Sequence, residues 1–237
     1  VDDTPPVITA CAADPGPLSL DENCEVALPD LTGDVVAGDN CSTPVITQNP
    51  TAGTMIDVDT PVTLTVTDGA GLTDTCSVTV TVQDDTPPSA PQFGSSIAVT
   101  LSADTGTASL SASDIDDILS GGGASDNCGI DLDATLATAS PQDFDCGDVG
   151  SPVPVTFTVV DNAGNPAGNA TTGQVTVSDV TAPVADAVSG PITIGLSEQP
   201  VTGEDLDPSN NSDDNCSIVA WEIDGEDEVT FDCSDVG

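Results

Sequence analysis

One phrase divides this chain. Asp2-Asp3-Thr4-Pro5-Pro6 returns as Asp84-Asp85-Thr86-Pro87-Pro88 and, altered, as Asp179-Val180-Thr181-Ala182-Pro183, at intervals of 82 and 95 residues. Paired prolines fix backbone dihedrals and withhold amide donors, so the phrase cannot continue a strand ladder, and its acids stay at the surface. It reads as a stiff, acidic joint between repeated units, and the interval is about the length of one all-β sandwich. The expected architecture is all-β, with tandem sandwich modules in an elongated string bounded at 1–84, 85–179 and 180–237.

The stretches between joints support strands. Pro61 to Thr67 and Cys76 to Val82 alternate apolar with polar at period two, the mark of half-buried strands, and Asp68-Gly69-Ala70-Gly71 turns between them. Earlier strands are expected at Cys24 to Leu28 and Pro44 to Gln48, with a turn at Gly38-Asp39-Asn40. The second module repeats the plan: Ile97 to Leu101, Ala108 to Ala112, Ile130 to Leu136, then Val153 to Val160 and Gln174 to Ser178 around Asp161-Asn162-Ala163-Gly164-Asn165. In the third module, strands are expected at Pro191 to Leu196 and Ile218 to Ile223, the latter holding Trp221 as a core residue. Phe231-Asp232-Cys233-Ser234-Asp235-Val236-Gly237 matches Phe144-Asp145-Cys146-Gly147-Asp148-Val149-Gly150, so the sequence is expected to stop in mid-module, as a mature fragment of a longer exported chain.

The charge balance narrows the partners. There are 41 Asp and Glu and no Lys, Arg or His, a formal net charge of -41. Ion pairs between side chains are impossible, and self-repulsion opposes compaction unless cations gather. Nucleic acid and anionic membrane surfaces are poor partners, because binding either needs basic groups to displace counterions, and no nucleic acid partner is expected. No apolar run approaches about 18 residues, so no membrane insertion is expected. Regular apolar strands argue against disorder in spite of the acidity. Aromatic residues make up only 2%, so the cores are built from Val, Ile, Leu and Ala and gain little area per residue.

Eight Cys without any His or a Cys-x-x-Cys pair read as disulfides, not zinc ligands, which places the chain in an oxidising, extracellular compartment. Modules two and three have two Cys each, 18 and 17 residues apart, and local pairing is the economical assignment: Cys128 with Cys146 and Cys216 with Cys233. A loop of that size would add about 3 kcal/mol in the chain-entropy treatment. The four Cys of module one allow three connectivities, of which Cys11 with Cys76 and Cys24 with Cys41 is preferred.

Taken in order, Pro-Pro-Val-Ile-Thr at 5 to 9, Asp39-Asn40-Cys41-Ser42, Val66-Thr67-Asp68-Gly69-Ala70-Gly71 and Thr75-Cys76-Ser77-Val78-Thr79-Val80 resemble a hyalin repeat (HYR) module. Modules two and three, with Ser-Asp-Asn-Cys-Gly-Ile at 125 to 130, Phe-Asp-Cys at 144 to 146 and Val-Asp-Asn-Ala-Gly-Asn at 160 to 165, resemble related repeats of giant bacterial surface adhesins. Those adhesins are typically exported by type IX secretion and include gliding-motility adhesins. The resemblance implies tandem immunoglobulin-like sandwiches at the cell surface, working in adhesion or fibre assembly. The chain departs from it in lacking basic residues and in having Phe93 and Ala170 near where module two would carry a strand-pairing Cys.

Hard cations take six to eight oxygens, which short Asp and Asn side chains on adjacent turns can supply. Three clusters per module are expected to converge at one end of the sandwich: the joint, the Asp-Asn before the Cys, and the closing turn. The expected ligands in module one are Asp2, Asp3, Asp39, Asn40 and Asp68, and in module two Asp84, Asp85, Asp126, Asn127, Asp161, Asn162 and Asn165. Module three contributes Asp179, Asp213, Asp214 and Asn215. The cofactor expected is Ca2+ at each joint. The bland reading is that Asp and Asn serve there only as turn formers.

Catalysis is not expected: without His or Lys neither a Ser-His-Asp triad nor a phosphate-gripping loop can be built, and the carboxylates lack aromatic sugar platforms. The expected role is an extracellular repeat segment of a large surface adhesin or filament. The alternatives are a passive spacer whose binding domain lies elsewhere and a carbohydrate-binding module. Expected partners are other modules of the same long chain, with surface glycans, protein receptors or the secretion machinery as further candidates.

Overall fold

Val62, Leu64 and Val66 alternate with threonines in the sequence and are fully buried in the structure, so one strand face supplies the centre of a core. The computed structural model describes residues 2–185, 201–202, 212–218 and 228–229. Contacts divide the chain into two compact units, the first made of Val1–Ala90, Gly123–Thr135 and Thr158–Ala170, the second of Pro91–Gly122, Leu136–Phe157 and Thr171–Gly237.

In the first unit the strands are β1 (Val7–Ala10), β2 (Leu18–Ser19), β3 (Val26–Ala27), β4 (Val36–Gly38), β5 (Val45–Asn49), β6 (Met55–Ile56), β7 (Thr60–Thr67), β8 (Thr73–Val80) and β9 (Val82–Gln83). β7 is the middle of a three-stranded antiparallel sheet, paired with β8 from Thr60↔Val80 to Thr67↔Thr73 and with β5 from Val45↔Thr67 to Asn49↔Thr63. Shorter pairs lie opposite its apolar face: β1 with β4 and β3 with β6, both antiparallel, and β2 with β9, parallel. Leu28, Leu31, Val35 and Ile56 from that side meet Val62, Leu64, Val66 and Val80, with Ile8, Leu18 and Ile46 at the margin. This is a β-sandwich, closed by small aliphatic side chains.

β10 (Phe93–Thr100) pairs in parallel with β14 (Pro166–Ser178), which also pairs with β13 (Val153–Val160). β13 repeats the alternation of β7, burying Val155, Phe157 and Val159, and β14 adds Val175 and Val177. β11 (Thr107–Ser109) pairs antiparallel with β12 (Asp143–Asp145). Among the last described residues, β15 (Val201–Thr202) pairs with β16 (Glu228–Val229).

One expected strand is shorter than read and another is largely helical. The strand read at Ala108 to Ala112 ends early, and α1 (Ala112–Ser120) follows it. Ser111 caps that helix: its hydroxyl accepts from the Asp114 amide, and the Asp114 carboxylate accepts from the Ser111 amide at 2.7 Å. Ile115, Ile118 and Leu119 are then buried on one helix face, at helical and not strand spacing. Gly94 and Gly173 make room for Ile118; a Cβ on Gly173 would lie 2.7 Å from its Cγ2. The second correction is Ile130 to Leu136, where α2 (Leu132–Leu136) forms because the Asp131 carboxylate accepts from the Ala134 amide at 2.9 Å and its carbonyl from the Thr135 amide at 3.0 Å. The expected strand at Pro191 to Leu196, the core role of Trp221 and the end of the third module lie outside the described residues.

The β7 alternation makes a direct test. Leu64→Ala, at a fully buried position, is expected to cost about 2–5 kcal/mol, whereas Thr63→Ala on the exposed face of the same strand should stay within about 0.5 kcal/mol. Guanidinium midpoints of the two variants would check this, and equal shifts would contradict the assigned core face.

Candidate cation sites and the disulfides that frame them

Asp68 and Asp161 stand where β7 and β13 end, and each builds the turn that follows. Asp68 Oδ1 accepts from the amides of Ala70 and Leu72, both at 2.8 Å. Asp161 Oδ1 accepts from Ala163 at 2.9 Å and Asn165 at 2.7 Å. Both turns pass through a left-handed glycine, Gly71 at φ 88° and Gly164 at φ 91°, a conformation that a Cβ would strain. The two aspartates are 7% and 1% exposed, unusual for a carboxylate in a chain without a single cationic side chain.

Around each, two more carboxylates gather. Asp2, Asp39 and Asp68 bring one oxygen apiece within 4.8 Å of one another, and so do Asp84, Asp126 and Asp161. In both groups the joint and Asp-Asn residues are half-buried and the turn residue is fully buried. Hydrogen bonds divide the carboxylates. Asp39 Oδ2 accepts from the amides of Cys41 and Ser42, both at 2.9 Å, leaving Oδ1 buried with no partner. Asp68 Oδ2 is likewise buried and unpartnered. In the second group Asp84 Oδ1 accepts from the Thr86 amide at 3.0 Å and Asp126 Oδ1 from the Cys128 amide at 2.8 Å, while the Oδ2 atoms of both are buried and unpartnered. Asn127 Oδ1 is a third orphan, and Asp161 Oδ2 accepts from Asn165 Nδ2 at 2.8 Å.

Buried acceptors without donors cost free energy that proteins seldom leave unmet. Each cluster therefore offers what a hard cation requires: several carboxylate oxygens, free of N–H donors, on short side chains. A soft metal would find no His and only one nearby thiol, so the donor set fits Ca2+.

The same bonds set the acid–base behaviour of the first cluster. The Cys41 amide, helped by the Ser42 and Asn40 amides and the Ser42 hydroxyl and opposed by desolvation, holds the Asp39 carboxyl below its ordinary value. A carboxylate depressed in the folded state stabilises it above the unfolded value and loses that contribution as pH falls through the folded one. The Asp39 loop is thus intact at neutral pH and loosens only below the usual carboxylate range. Desolvation, then the charges of Asp2 and Asp39, push the Cys41 thiol up.

Not every expected ligand joins a cluster. Asp3 and Asp85 are exposed, outside the gathered groups, and Asp85 accepts instead from Ser19 Oγ at 2.8 Å and Gln83 Nε2 at 2.7 Å. Only the first acid of each joint pair belongs to a gathered group. Asn40 is exposed. Asn162 is also exposed and ties the turn to the neighbouring loop through Nδ2 to the Cys128 carbonyl at 3.0 Å. Asn165 Nδ2 donates to the Asp84 carbonyl at 3.0 Å. Asp179, Asp213, Asp214 and Asn215 repeat the local bonding: Asp179 Oδ1 accepts from the Thr181 amide at 2.9 Å, Asp214 Oδ1 from the Cys216 amide at 2.9 Å, and Asn215 Oδ1 is a buried orphan. Among the described residues they do not form a three-carboxylate group.

The disulfides correct the local pairing scheme. Cys11 bonds Cys76, with Cα atoms 6.0 Å apart, both packed against the first core. The other two bonds are long-range: Cys24–Cys128 spans 104 residues and Cys146–Cys216 spans 70. Hence Cys128 does not pair with Cys146, nor Cys216 with Cys233, nor Cys24 with Cys41, which is exposed and free. Cys128 lies in the first compact unit and Cys146 in the second, so short sequence distance is no guide to their contact. The residue that sequence reasoning missed is Asp21. Its carbonyl accepts from Asn127 Nδ2 at 3.0 Å, beside the Cys24–Cys128 bond. The signal was present in Asp21-Glu22-Asn23-Cys24, a cysteine turn with no partner assigned by repeat position.

Sandwich strands, turn-capping acids and disulfides define the class: an all-β chain of immunoglobulin-like modules, its bonds suited to an oxidising, extracellular or secreted setting. Among the described residues no helix is long and apolar enough to cross a membrane. No protein-family model matches the chain, and no curated protein matches it. Among solved structures it is similar to the N-terminal Ig1-2 module of the Drosophila receptor protein tyrosine phosphatase DLAR, at 13% identity over 73% of this chain and 100% of that one, TM-score 0.23. It is also similar to an I-band fragment of titin (14% identity, 77% of this chain and 68% of that one, TM-score 0.30). A third is protocadherin gamma B7 extracellular cadherin domains 1–4 (14%, 85% and 58%, TM-score 0.27).

Replacing Cys24 and Cys128 together by Ser should lower unfolding free energy by about 2–5 kcal/mol, the range for a native disulfide. Non-reducing peptide maps should link the Cys24 and Cys128 peptides; a Cys128–Cys146 peptide would overturn the assignment.

Proposed function

We propose that this chain is a repeat segment of a large extracellular adhesin or surface filament, stiffened at its joints by disulfides and by Ca2+. The three-module division at 1–84, 85–179 and 180–237 belongs to the same reading, as does the likeness to HYR and type IX-secreted, gliding-adhesin repeats. The observation that carries it is the coincidence, around the second joint phrase, of unpartnered buried oxygens on Asp84, Asp126 and Asn127 with a disulfide that spans that phrase. A joint held covalently and also lined with uncompensated carboxylates has the composition of a load-bearing hinge that a cation locks.

Asp2, Asp39 and Asp68 would hold one ion, and Asp84, Asp126 and Asp161 with Asn127 Oδ1 another. Bound Ca2+ supplies charge neutralisation and a fixed coordination shell. The residues of the chain do the rest: amides of Cys41, Ser42, Ala70 and Leu72 orient the carboxylates, and Asn165 ties its turn to the joint through the Asp84 carbonyl. The partners are then neighbouring modules of the same long chain, with a glycan or protein receptor engaged elsewhere along it.

The test is thermal unfolding of the full chain in chelator and with added Ca2+, each at two fixed sodium chloride concentrations. Ca2+ should raise the midpoint at both, with each site adding about 2.7 kcal/mol when the ion is at 100 times its Kd. Asp84→Ala with Asp126→Ala should remove part of the rise and leave the first site's share. A midpoint that follows only bulk salt would reduce the acidic loops to generic surface. Acidification should mimic the chelator, since protonated carboxyls do not ligate.

A further inference from the structure

The two carboxylate clusters are built on the same turn, and one position of it separates them. Asp68-Gly69-Ala70-Gly71-Leu72 and Asp161-Asn162-Ala163-Gly164-Asn165 share the aspartate, the alanine two places on and the left-handed glycine after it. In both turns Oδ1 of the aspartate accepts from the amides of the second and fourth residues that follow. The backbone closes alike as well: the Asp68 amide donates to the Leu72 carbonyl at 3.0 Å and the Asp161 amide to the Asn165 carbonyl at 3.1 Å. What differs is the side chain in the fourth place, leucine in one turn and asparagine in the other.

Asn165 commits its amide to the cluster. Its Nδ2 donates to Asp161 Oδ2 at 2.8 Å and to the Asp84 carbonyl at 3.0 Å, so it caps the buried carboxylate and also fastens the turn to the joint. The half-buried Leu72 has no group that could do either. Asp68 is accordingly 7% exposed with Oδ2 buried and unpartnered, and it sits in the group with Asp2 and Asp39, whose Oδ1 is a second buried orphan. A carboxylate more than nine-tenths buried with an unmet oxygen requires a donor or a cation. The second turn meets that need with an amide, whereas the first gathers three acids and has no cationic side chain to call on.

We propose that the residue in this fourth place sets how far each joint depends on its ion, Leu72 making the first turn reliant on Ca2+ and Asn165 letting the second hold without it. The inference rests on the Ca2+ reading above and adds its regulation. Two effects of the asparagine run in the same direction. It satisfies Asp161 in the ion-free chain, so less is gained when the ion arrives. It also aims the positive end of an N–H dipole at an oxygen the ion must share, which weakens the attraction. The orphan oxygens of the second cluster lie on Asp84, Asp126 and Asn127, off the turn, so the turn itself stays bonded. As Ca2+ falls, the Asp68 turn therefore loosens first.

The experiment is hydrogen exchange on the full chain, in chelator and at a fixed Ca2+ concentration, following peptides that cover 68–72 and 161–165. In chelator the first turn should exchange faster than the second. Ca2+ at 100 times the Kd of the first site should slow that turn by up to about 100-fold and the second turn by distinctly less. Leu72→Asn supplies the missing donor. It should raise the unfolding midpoint in chelator by about 5 °C and weaken Ca2+ binding at that turn by about tenfold. Leu72→Ala removes the leucine without adding a donor and should do neither. Asn165→Leu should speed exchange of the second turn in chelator and enlarge its response to Ca2+. Equal exchange of the two turns in chelator, or a Leu72→Asn chain that behaves as Leu72→Ala does, would overturn the inference; a Ca2+ response persisting at both turns in those chains would leave the Ca2+ reading standing. Exchange indifferent to Ca2+ at both turns would overturn that reading and this inference with it.

Discussion

Every carboxylate in this chain must be satisfied without a basic side chain. With 41 acids and no Lys, Arg or His, the available donors are amides, hydroxyls and water. The backbone solves this locally and repeatedly: an Asp accepts from the amide two residues on, at Asp2, Asp39, Asp68, Asp126, Asp161 and Asp214 alike. Such turns give the acid a fixed direction and also consume one of its two oxygens. On the surface, water takes the other. Where the sandwich buries the turn, at Asp39, Asp68, Asp84 and Asp126, the second oxygen is stranded. The candidate cation clusters are thus a by-product of the way this chain makes turns, found where three such acids meet.

The cores tolerate this arrangement because they ask little of the loops. Strands β7 and β13 bury alternate residues almost completely, using Val, Leu and one Phe, and the threonines between them face outward. Small aliphatic side chains gain less area each than aromatic ones would. Cross-links compensate: Cys11–Cys76 ties the residue after β1 to β8 across the first sandwich, and the two long-range bonds constrain loops of 104 and 70 residues in the unfolded chain. The disulfides therefore act most strongly where the cores do not reach.

Much of the fold was legible because it depends on period and punctuation. The alternation of Pro61 to Thr67 and of Val153 to Val160 needed no tertiary information, and the closing turns at Asp68 and Asp161 follow from Asp and Gly at fixed offsets. The helix at Ala112–Ser120 was legible too, in the Ser111 and Asp114 capping pair, but strand-like alternation before it dominated the reading. Convergence of Asp2 with Asp39 and Asp68 could be argued from strand direction, whereas the exposure of Asp3 and Asp85 could not, since the joint has no strand or helix period from which to read it. Disulfide partners were the least legible. Loop entropy favours neighbours only when nothing else positions the chain, and here Asn127 and Asn215 hydrogen-bond to residues far upstream, beside the bonded cysteines.

Two ties at one joint are not redundant, because they oppose different forces. A disulfide limits how far the Asp21–Cys24 turn can part from the Asp126–Cys128 loop, but it removes no charge. Holding carboxylates at short range by a covalent bond increases the repulsion among them, which burial strengthens by excluding water. A cation cancels that repulsion and does nothing for separation once it leaves. The covalent tie therefore sets which loops face one another, and in the proposed reading occupancy of the cluster would set how rigidly they do so. If Ca2+ binds as proposed, a joint built this way would keep its register when the ion is withdrawn and lose its stiffness, and would regain stiffness without having to find its partner again.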